Sequence, residues 1–213
     1  MSYQSAGYTL VEMLVAMAVS SVVLAGTYAA YSLFAQQQQL LLGQTELSRN
    51  AMQAVDQIQT DIRHAGYKDY YDDNPISQNQ PINIDQSSPA DFRIVYDNYD
   101  NQCVSKRLLV RYYIKNFLQR DRLMRQVNCC NDAAIFCDLN QSTLISDEPL
   151  LDWVTQFSVK GMHPKISGNF KDQYQTLEIT LSLKKAHRVE GMSKDTEKNF
   201  SFIGRAKNVS LVP

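Results

Sequence analysis

Hydrophobic residues dominate the first part of the chain. Between residues 8 and 35 the sequence YTLVEMLVAMAVSSVVLAGTYAAYSLFA contains one charged residue, Glu12, and the next charge is Glu46. As an α-helix, this stretch of 28 residues would be about 42 Å long, which exceeds the ~30 Å hydrocarbon core of a bilayer. The pattern therefore predicts a helix that can cross a membrane.

The pattern changes after residue 35 from uniformly apolar to amphipathic. Apolar residues recur every three or four positions, as on one face of a helix: Leu47, Ala51, Val55, Ile58 and Ile62. No proline interrupts residues 8–66, and Gly66 stands where a helix is expected to end. We therefore predict one helix over residues 8–65, roughly 87 Å long, with Gly26 and Gly43 as its weakest points.

Alternation of apolar and polar residues after Gly66 predicts antiparallel strands. Residues 67–91 lack a helical period and are interpreted as a long loop region with room for short strands. Ser105–Phe117 and Arg122–Val127 are predicted to form a hairpin around Leu118–Asp121. Further strands are predicted at Phe92–Tyr96, Leu151–Lys160, Thr176–Lys184 and Phe200–Leu211, with Gly204 marking a bulge. The predicted fold class is α+β, a long N-terminal helix packed on one or two antiparallel sheets.

Composition narrows the class of protein. The 213 residues carry 21 Lys and Arg against 22 Asp and Glu, a net charge of −1, so the chain as a whole is not a polyanion binder. A mean hydropathy of −0.33 excludes a polytopic membrane protein. A hydrophobic share of 44% is too high for a disordered chain. The chain is therefore a mostly water-soluble protein with one apolar segment.

Glu12 distinguishes between the interpretations of that segment. A cleaved secretory signal has a basic start and a short apolar core, whereas residues 1–7 contain no Lys or Arg. A plain membrane anchor explains the length but not a carboxylate in the bilayer, which is costly without a partner. The sequence G-Y-T-L-V-E, in which Glu12 follows Gly7 by five positions, resembles the class III leader junction of type IV pilins and pseudopilins.

The resemblance implies how the segment is processed and what Glu12 does. A membrane peptidase would cut between Gly7 and Tyr8 and methylate the new N-terminal amine of Tyr8. The Glu12 carboxylate would then neutralise the amine of a neighbouring subunit at low dielectric and set the axial register of each subunit in a fibre. Residues 1–7 would be the leader, 8–35 the transmembrane and fibre-core half of the helix, 36–66 its amphipathic half, and 67–213 a periplasmic β-rich globular domain.

Two further segments resemble PilW-like minor pilins: DIRHAGY at Asp61–Tyr67 and FIGRAKNVSL at residues 202–211. They imply a minor type IV pilin of lollipop form, a structural subunit that helps to prime assembly and lies at or near the pilus tip. The implied partners are other minor and major pilins, the prepilin peptidase and the inner-membrane assembly platform. The implied location is the bacterial inner membrane, with the C-terminal domain in the periplasm, and then the assembled pilus. The alternatives are a J-type minor pseudopilin of a type II secretion system and a single-pass periplasmic enzyme or binding module.

Four cysteines, Cys103, Cys129, Cys130 and Cys137, would then lie in the periplasm. An even number of cysteines in that compartment favours two disulfides. Because a vicinal bridge is strained, Cys129 and Cys130 are expected to pair separately with Cys103 and Cys137, in either order. These bonds would staple loop 128–140 to the hairpin. A CC-x6-C pattern without a nearby His is poor for zinc, and no metal or cofactor is expected.

Charge is distributed unevenly along the predicted domain. Seven cations and one Asp lie between Lys106 and Arg125, and seven Asp and one Arg lie between Asp69 and Asp100. Three interpretations stay open: faces that neutralise each other within one subunit, complementary surfaces on neighbouring subunits, or DNA capture, for which no binding motif occurs. Catalytic motifs are also missing around His64, His163 and His187, so no active site is expected.

Overall fold

One long helix followed by antiparallel strands makes up the chain in its computed structural model. The helix, α1, is 55 residues long and runs from Leu10 to His64. The residues that the structure describes are 9–67, 82–84, 90–98, 103, 106–118, 120–130, 137, 139–164, 174–189 and 192–206. The α+β class expected from the sequence is confirmed.

The strands form two antiparallel sheets. Sheet A contains five strands in the order β1-β2-β3-β4-β5, and sheet B contains three in the order β6-β7-β8. Each sheet is a meander, because every strand pairs with its neighbour along the chain. The bounds are β1 Ile82–Ile84, β2 Phe92–Asp97, β3 Arg107–Phe117, β4 Arg120–Cys130, β5 Ser142–Asp152, β6 Val154–Pro164, β7 Tyr174–Val189 and β8 Met192–Arg205.

The ends of α1 are defined by local hydrogen bonds. Thr9 caps the start, and the N–H of Ala65 donates to the carbonyls of Asp61 and Ile62 at the end. Gly66 has a φ of 73°, a conformation that costs glycine little. Its N–H donates to the Val95 carbonyl at 2.9 Å, so the chain turns from the helix directly onto sheet A. The predicted stop at Gly66 is confirmed, and the helix continues through both predicted weak points.

The amphipathic half of α1 packs on both sheets and closes one hydrophobic core. Four residues of the predicted apolar stripe are buried there, whereas Val55 is half-buried. The buried residues of the helix are Gly43, Leu47, Ala51, Ala54, Ile58, Asp61 and Ile62. The presence of a carboxylate, Asp61, on this face was not predicted by the hydrophobic pattern.

In the middle of the domain one strand prediction is wrong, and one strand was not predicted. Leu151–Lys160 is not one strand, because Trp153, at a φ of 67°, ends β5 in sheet A and the chain continues as β6 in sheet B. The strand β5 was missed altogether. It is an edge strand on which Leu151 is the one fully buried residue, and Pro149 interrupts it, so its sequence has no inward-facing apolar alternation.

The other strand predictions are confirmed with changed bounds. The hairpin exists as β3 and β4, but its turn is shorter, with Leu118 at a φ of 50°, and β4 extends to Cys130. The last strand starts at Met192 rather than at Phe200 and ends at Arg205. Residues 207–211, which belonged to the predicted strand, lie outside the described residues.

Gly204 does not mark a bulge, as the sequence suggested. It pairs with Leu177 in an unbroken β7–β8 register. Its role is close approach to the helix, because a Cβ atom at this position would lie 2.6 Å from Cδ1 of Ile62. Ile62 is 0% exposed. The missing side chain of Gly204 therefore lets β8 lie directly against α1.

We predict that Gly204→Ala destabilises the domain by about 1–3 kcal/mol through overpacking. Ile62→Val removes the atom that the new methyl group would meet, so the double variant should cost less than the sum of the two single changes. Urea unfolding of the full chain in detergent, followed by Trp153 fluorescence, measures all three variants.

Gly26→Ala is the matched control, because its new Cβ atom meets nothing within 4 Å. It should not lower the stability of the domain. Strict additivity of the Gly204 and Ile62 changes would contradict the proposed contact.

Candidate functional site

The carboxylate of Glu12 is held at the start of α1 by Thr9. The backbone N–H of Thr9 donates to Oε2 of Glu12 at 2.9 Å, and the Thr9 hydroxyl donates to the same oxygen at 3.1 Å. The Glu12 N–H donates in return to Oγ1 of Thr9 at 3.3 Å. This reciprocal arrangement is a capping box. Gly7 and Tyr8, the predicted cleavage and methylation residues, lie outside the described residues.

The apolar half of α1 is exposed in the part of the chain that the structure describes. An 18-residue window within this helix has a mean hydropathy of 2.0 and is 0% buried. The helix is long and apolar enough to cross a membrane. Its large apolar side chains are exposed from Leu10 to Phe34. A helix with this surface needs lipid or other helices around it.

A buried polar cluster fixes the other half of α1 on sheet A. The Asp61 carboxylate is buried, with 3% of the side chain exposed. Nε of Arg125 donates to Oδ2 of Asp61 at 2.8 Å, and Nη2 donates to Oδ1 at 3.2 Å. The Tyr96 hydroxyl donates to Oδ1 at 3.2 Å, and the Tyr112 hydroxyl donates to Oδ2. Three strands of sheet A therefore hold one carboxylate of the helix.

The two tyrosines of this cluster stay neutral. Burial, together with the nearby Asp61 carboxylate, raises the pKa of both Tyr96 and Tyr112 well above the usual range. Burial alone would lower the pKa of Arg125, but its hydrogen bonds to Asp61 and the attraction between their charges raise it on balance. The phenols therefore remain neutral donors, and Arg125 remains a cation.

Two ion pairs between described residues join the acidic segment of the sequence to the basic segment. Arg107 on β3 and Asp97 on β2 form a buried pair at 2.9 Å, with 3% and 1% of their side chains exposed. Both Nε and Nη2 of Arg111 donate to Asp91. These contacts agree with the first of the three interpretations, because the antiparallel pairing of β2 and β3 brings Asp97, at the end of β2, and Asp91, just before β2, beside arginines of β3. Asp69, Asp72, Asp73, Asp85 and Asp100 lie outside the described residues.

Other cations of the hairpin have acidic partners or aromatic rings beside them. Arg122 lies 2.7 Å from Asp152, and Lys115 lies 3.7 Å from Asp147. The guanidinium of Arg120 lies 4.0 Å from the centroid of the Trp153 ring. Similar stacks hold Arg111 over Tyr113 and Arg122 over Phe117. The described hairpin therefore offers little unpaired positive charge to a nucleic acid.

The four cysteines form two disulfides near the end of β4. The bonds are Cys103–Cys129 and Cys130–Cys137, each with a Cα–Cα distance of 5.5 Å. This is one of the two pairings that the sequence left open. Neighbouring side chains on a strand point to opposite faces, so the adjacent cysteines anchor two different segments. The second bond ties Cys137 to β4, a strand of the hairpin, and the first ties Cys103 to the same strand, so both bonds fasten flanking segments to the hairpin as expected.

The histidines and acidic groups do not assemble into a metal site in the part of the chain that the structure describes. No group of three or more His, Cys, Asp or Glu is placed there to hold a metal ion. His64 is exposed, and its ring centroid lies 5.5 Å from that of Tyr96. The side chains of His163 and His187 are outside the description.

Asp61 is the residue that sequence reasoning missed. Its position, three residues after Ile58 on the buried stripe, was a signal that a carboxylate would be buried. Its partners gave no such signal, because Tyr112 and Arg125 lie 51 and 64 positions further along the chain. Glu12 lies 49 positions before Asp61, about 74 Å away along the helix.

Comparison with known protein families gives two matches. Residues 3–28 match the prokaryotic N-terminal methylation motif, and residues 40–198 match the family described as prepilin peptidase-dependent protein B. The first match includes Gly7, Tyr8 and Glu12, and the second includes Asp61 and all four cysteines. No curated protein and no solved structure was found that matches the chain significantly.

We predict that Asp61→Asn destabilises the domain by about 3–5 kcal/mol, because it leaves the partly buried Arg125 without its counter-charge. Asp56→Asn makes the same change at an exposed position one turn earlier on α1 and should stay within about 0.5 kcal/mol of wild type. Urea unfolding of the full chain in detergent measures both variants. Equal stability of the two variants would show that the cluster does not hold the helix.

We predict that Cys103→Ala exposes a single thiol, at Cys129. Alkylation of the oxidised protein, followed by fragmentation of the labelled peptide, distinguishes Cys129 from its neighbour. A label on Cys130 would show the other pairing. Loss of the Cys103–Cys129 bond should lower the free energy of unfolding by about 3.5 kcal/mol, against about 2.4 kcal/mol for loss of the Cys130–Cys137 bond, because Cys103–Cys129 closes the longer loop.

Proposed function

Because the chain belongs to the family described as prepilin peptidase-dependent protein B, we propose that this type IV pilin-like protein is a minor pilin. It would be processed between Gly7 and Tyr8, methylated at Tyr8, and then inserted in a pilus at or near the tip, where it helps to prime assembly. Its role is structural and not catalytic. Its partners are the prepilin peptidase, the inner-membrane assembly platform, and other minor and major pilins.

The geometry of Glu12 is the observation that carries the proposal. Both hydrogen bonds from Thr9 end on Oε2, and Oε1 accepts none from the described residues. A carboxylate can accept about four hydrogen bonds. The free oxygen is therefore available for the N-terminal ammonium of a neighbouring subunit, while Thr9 keeps the carboxylate in place. A helix used only as an anchor has no need of this group.

The globular domain supports a role in a protein assembly and not in nucleic-acid capture. Arg111 of the hairpin stacks on Tyr113, and Arg120 of the hairpin stacks on Trp153, which lies between β5 and β6. These residue types dominate the energetics of protein interfaces, and pre-ordered side chains lose less entropy on binding. At the hairpin turn, Phe117 and Leu118 are 47% and 79% exposed. This tip is a suitable contact surface for a neighbouring subunit.

The two segments that resemble PilW-like pilins support the minor-pilin assignment. Ile62 belongs to the first segment and Gly204 to the second, and the two residues lie against each other. Asp61 begins the first segment and forms the buried cluster. A J-type minor pseudopilin would share the leader and the helix, so the machine has to be identified in cells.

The test is a deletion strain complemented with wild type, Glu12→Gln or Glu46→Gln, scored for surface pili and exported proteins in parallel. We expect deletion to abolish pili and leave secretion intact. Glu12→Gln should fail to restore pili because it removes the charge that pairs with the neighbouring amine. The control Glu46→Gln also removes a carboxylate from α1, one whose side chain is 62% exposed and pairs with Lys185 at 3.1 Å. Because such a surface pair contributes little to stability, this variant should restore pili.

Intact mass of each protein shows whether residues 1–7 are removed and whether Tyr8 is methylated. Normal processing of Glu12→Gln is expected, so that loss of pili reports assembly alone. Pilus formation by Glu12→Gln would overturn the pairing. A secretion defect with normal pili in the deletion strain would instead identify a pseudopilin.

A further inference from the structure

Aromatic residues lie at the C-terminal end of the apolar half of α1. Tyr28, Tyr31 and Phe34 are 75%, 73% and 68% exposed. They follow each other at intervals of three positions, and the polar run Gln36–Gln39 comes directly after them. Tyrosine is enriched at membrane–water interfaces, where its ring is apolar and its hydroxyl is hydrated.

The distance between these residues and the start of the helix matches the thickness of a bilayer. Tyr28 lies 18 positions after Leu10, about 27 Å along the helix axis, against ~30 Å for the hydrocarbon core. Phe34 lies about 9 Å higher, which is close to the depth of one headgroup layer. The hydroxyls of Ser21 and Thr27, which lie between Leu10 and Tyr28, can be accommodated in lipid because they donate to backbone carbonyls of the same helix.

We propose that Tyr28 and Tyr31 fix the depth of α1 by lying at the periplasmic interface of the inner membrane, which places Glu12 at the cytoplasmic interface. This inference rests on the membrane anchoring that the proposed function requires. Glu12 lies two positions after Leu10, about 3 Å above the start of the helix. Its hydrogen bonds to Thr9 direct the carboxylate toward that end, where water can reach it.

The same placement sets the height of the globular domain. Gly43 is the first buried residue of α1 and lies 15 positions after Tyr28, about 22 Å above the hydrocarbon. The intervening stalk includes Leu41 and Leu42, which are 61% and 69% exposed. A membrane boundary at these leucines is the competing placement, and it would put Tyr28 deep in the lipid.

Depth-dependent fluorescence quenching separates the two placements. The full chain is inserted in phosphatidylcholine vesicles whose acyl chains are brominated either near the headgroup or near the chain ends. The reporters are Tyr28→Trp, Val19→Trp at the midpoint between Leu10 and Tyr28, and Leu41→Trp on the stalk. The native Trp153 lies in the globular domain and provides a background that lipid should not quench.

We expect the largest loss of emission from Tyr28→Trp with bromine near the headgroup, and from Val19→Trp with bromine near the chain ends. Leu41→Trp should lose no more emission than wild type. Quenching of Leu41→Trp by either lipid, or deeper quenching of Tyr28→Trp than of Val19→Trp, would overturn the placement. An unquenched Val19→Trp would mean that a second copy, and not lipid, covers the helix, and would also overturn it.

Leucine and phenylalanine variants test whether the aromatic rings themselves set the depth. In the Val19→Trp background, Tyr28→Leu with Tyr31→Leu should reduce the difference between the two brominated lipids, because the helix loses its interfacial anchors. Tyr28→Phe with Tyr31→Phe is the control that keeps the rings and should preserve most of the difference. An unchanged profile with leucine would contradict the role of the tyrosines. Because these vesicles contain no pilus machinery, the depth profile does not depend on the proposed pilus role. The expected depth profile together with pilus formation by Glu12→Gln in cells would count against the proposed function alone.

Discussion

The burial of one carboxylate, Asp61, is the constraint on which the rest of the structure depends. A buried charge has to keep all of its partners, and those of Asp61 come from β2, β3 and β4 of sheet A. Sliding or rotating α1 by one residue would separate the carboxylate from Arg125 and both phenols. Hydrophobic contacts alone allow such shifts, since they have no direction. The polar cluster thus selects one position of the helix on the sheet, and the fit of Ile62 against Gly204 holds in that position only.

Because its position on the sheet is fixed, the long helix can couple the position of its N-terminus to the position of the domain. An unbroken α1 joins Glu12 at one end to Asp61 near the other, so an axial position set at the N-terminus is passed on to the domain. A flexible joint near Gly43 would uncouple the N-terminus from the domain. Gly43 instead lies within the unbroken helix and is buried against the domain. In the proposed pilin, charge pairing by Glu12 at the start of the helix and docking of Asp61 near its end would together set one axial position of the subunit.

Much of the fold could be predicted from the sequence where the signal is local. The apolar run, the stripe from Leu47 to Ile62 and the stop at Gly66 depend on spacing within one helix. The role of Glu12 came from a family pattern around Gly7. The rest depends on partners that are distant in sequence, such as Arg125 for Asp61 and Ile62 for Gly204. Strand β5 was missed because an exposed edge strand does not need an apolar face. The choice between the two disulfide pairings depends on which segment the sheet brings beside Cys129.

The pairing of β2 with β3 also brings together charges from the acidic and the basic segments of the sequence. The register that puts Tyr112 beside Phe92, in the core, also puts Asp97 beside Arg107. These two charges are therefore paired by a contact that folding requires anyway. A surface of this kind does not attract partners over long distances, and its selectivity has to come from shape and from fixed side chains such as Arg120 on Trp153. For the proposed pilin, the membrane helix would restrict encounters with neighbouring subunits to two dimensions, so that long-range electrostatic steering would not be needed.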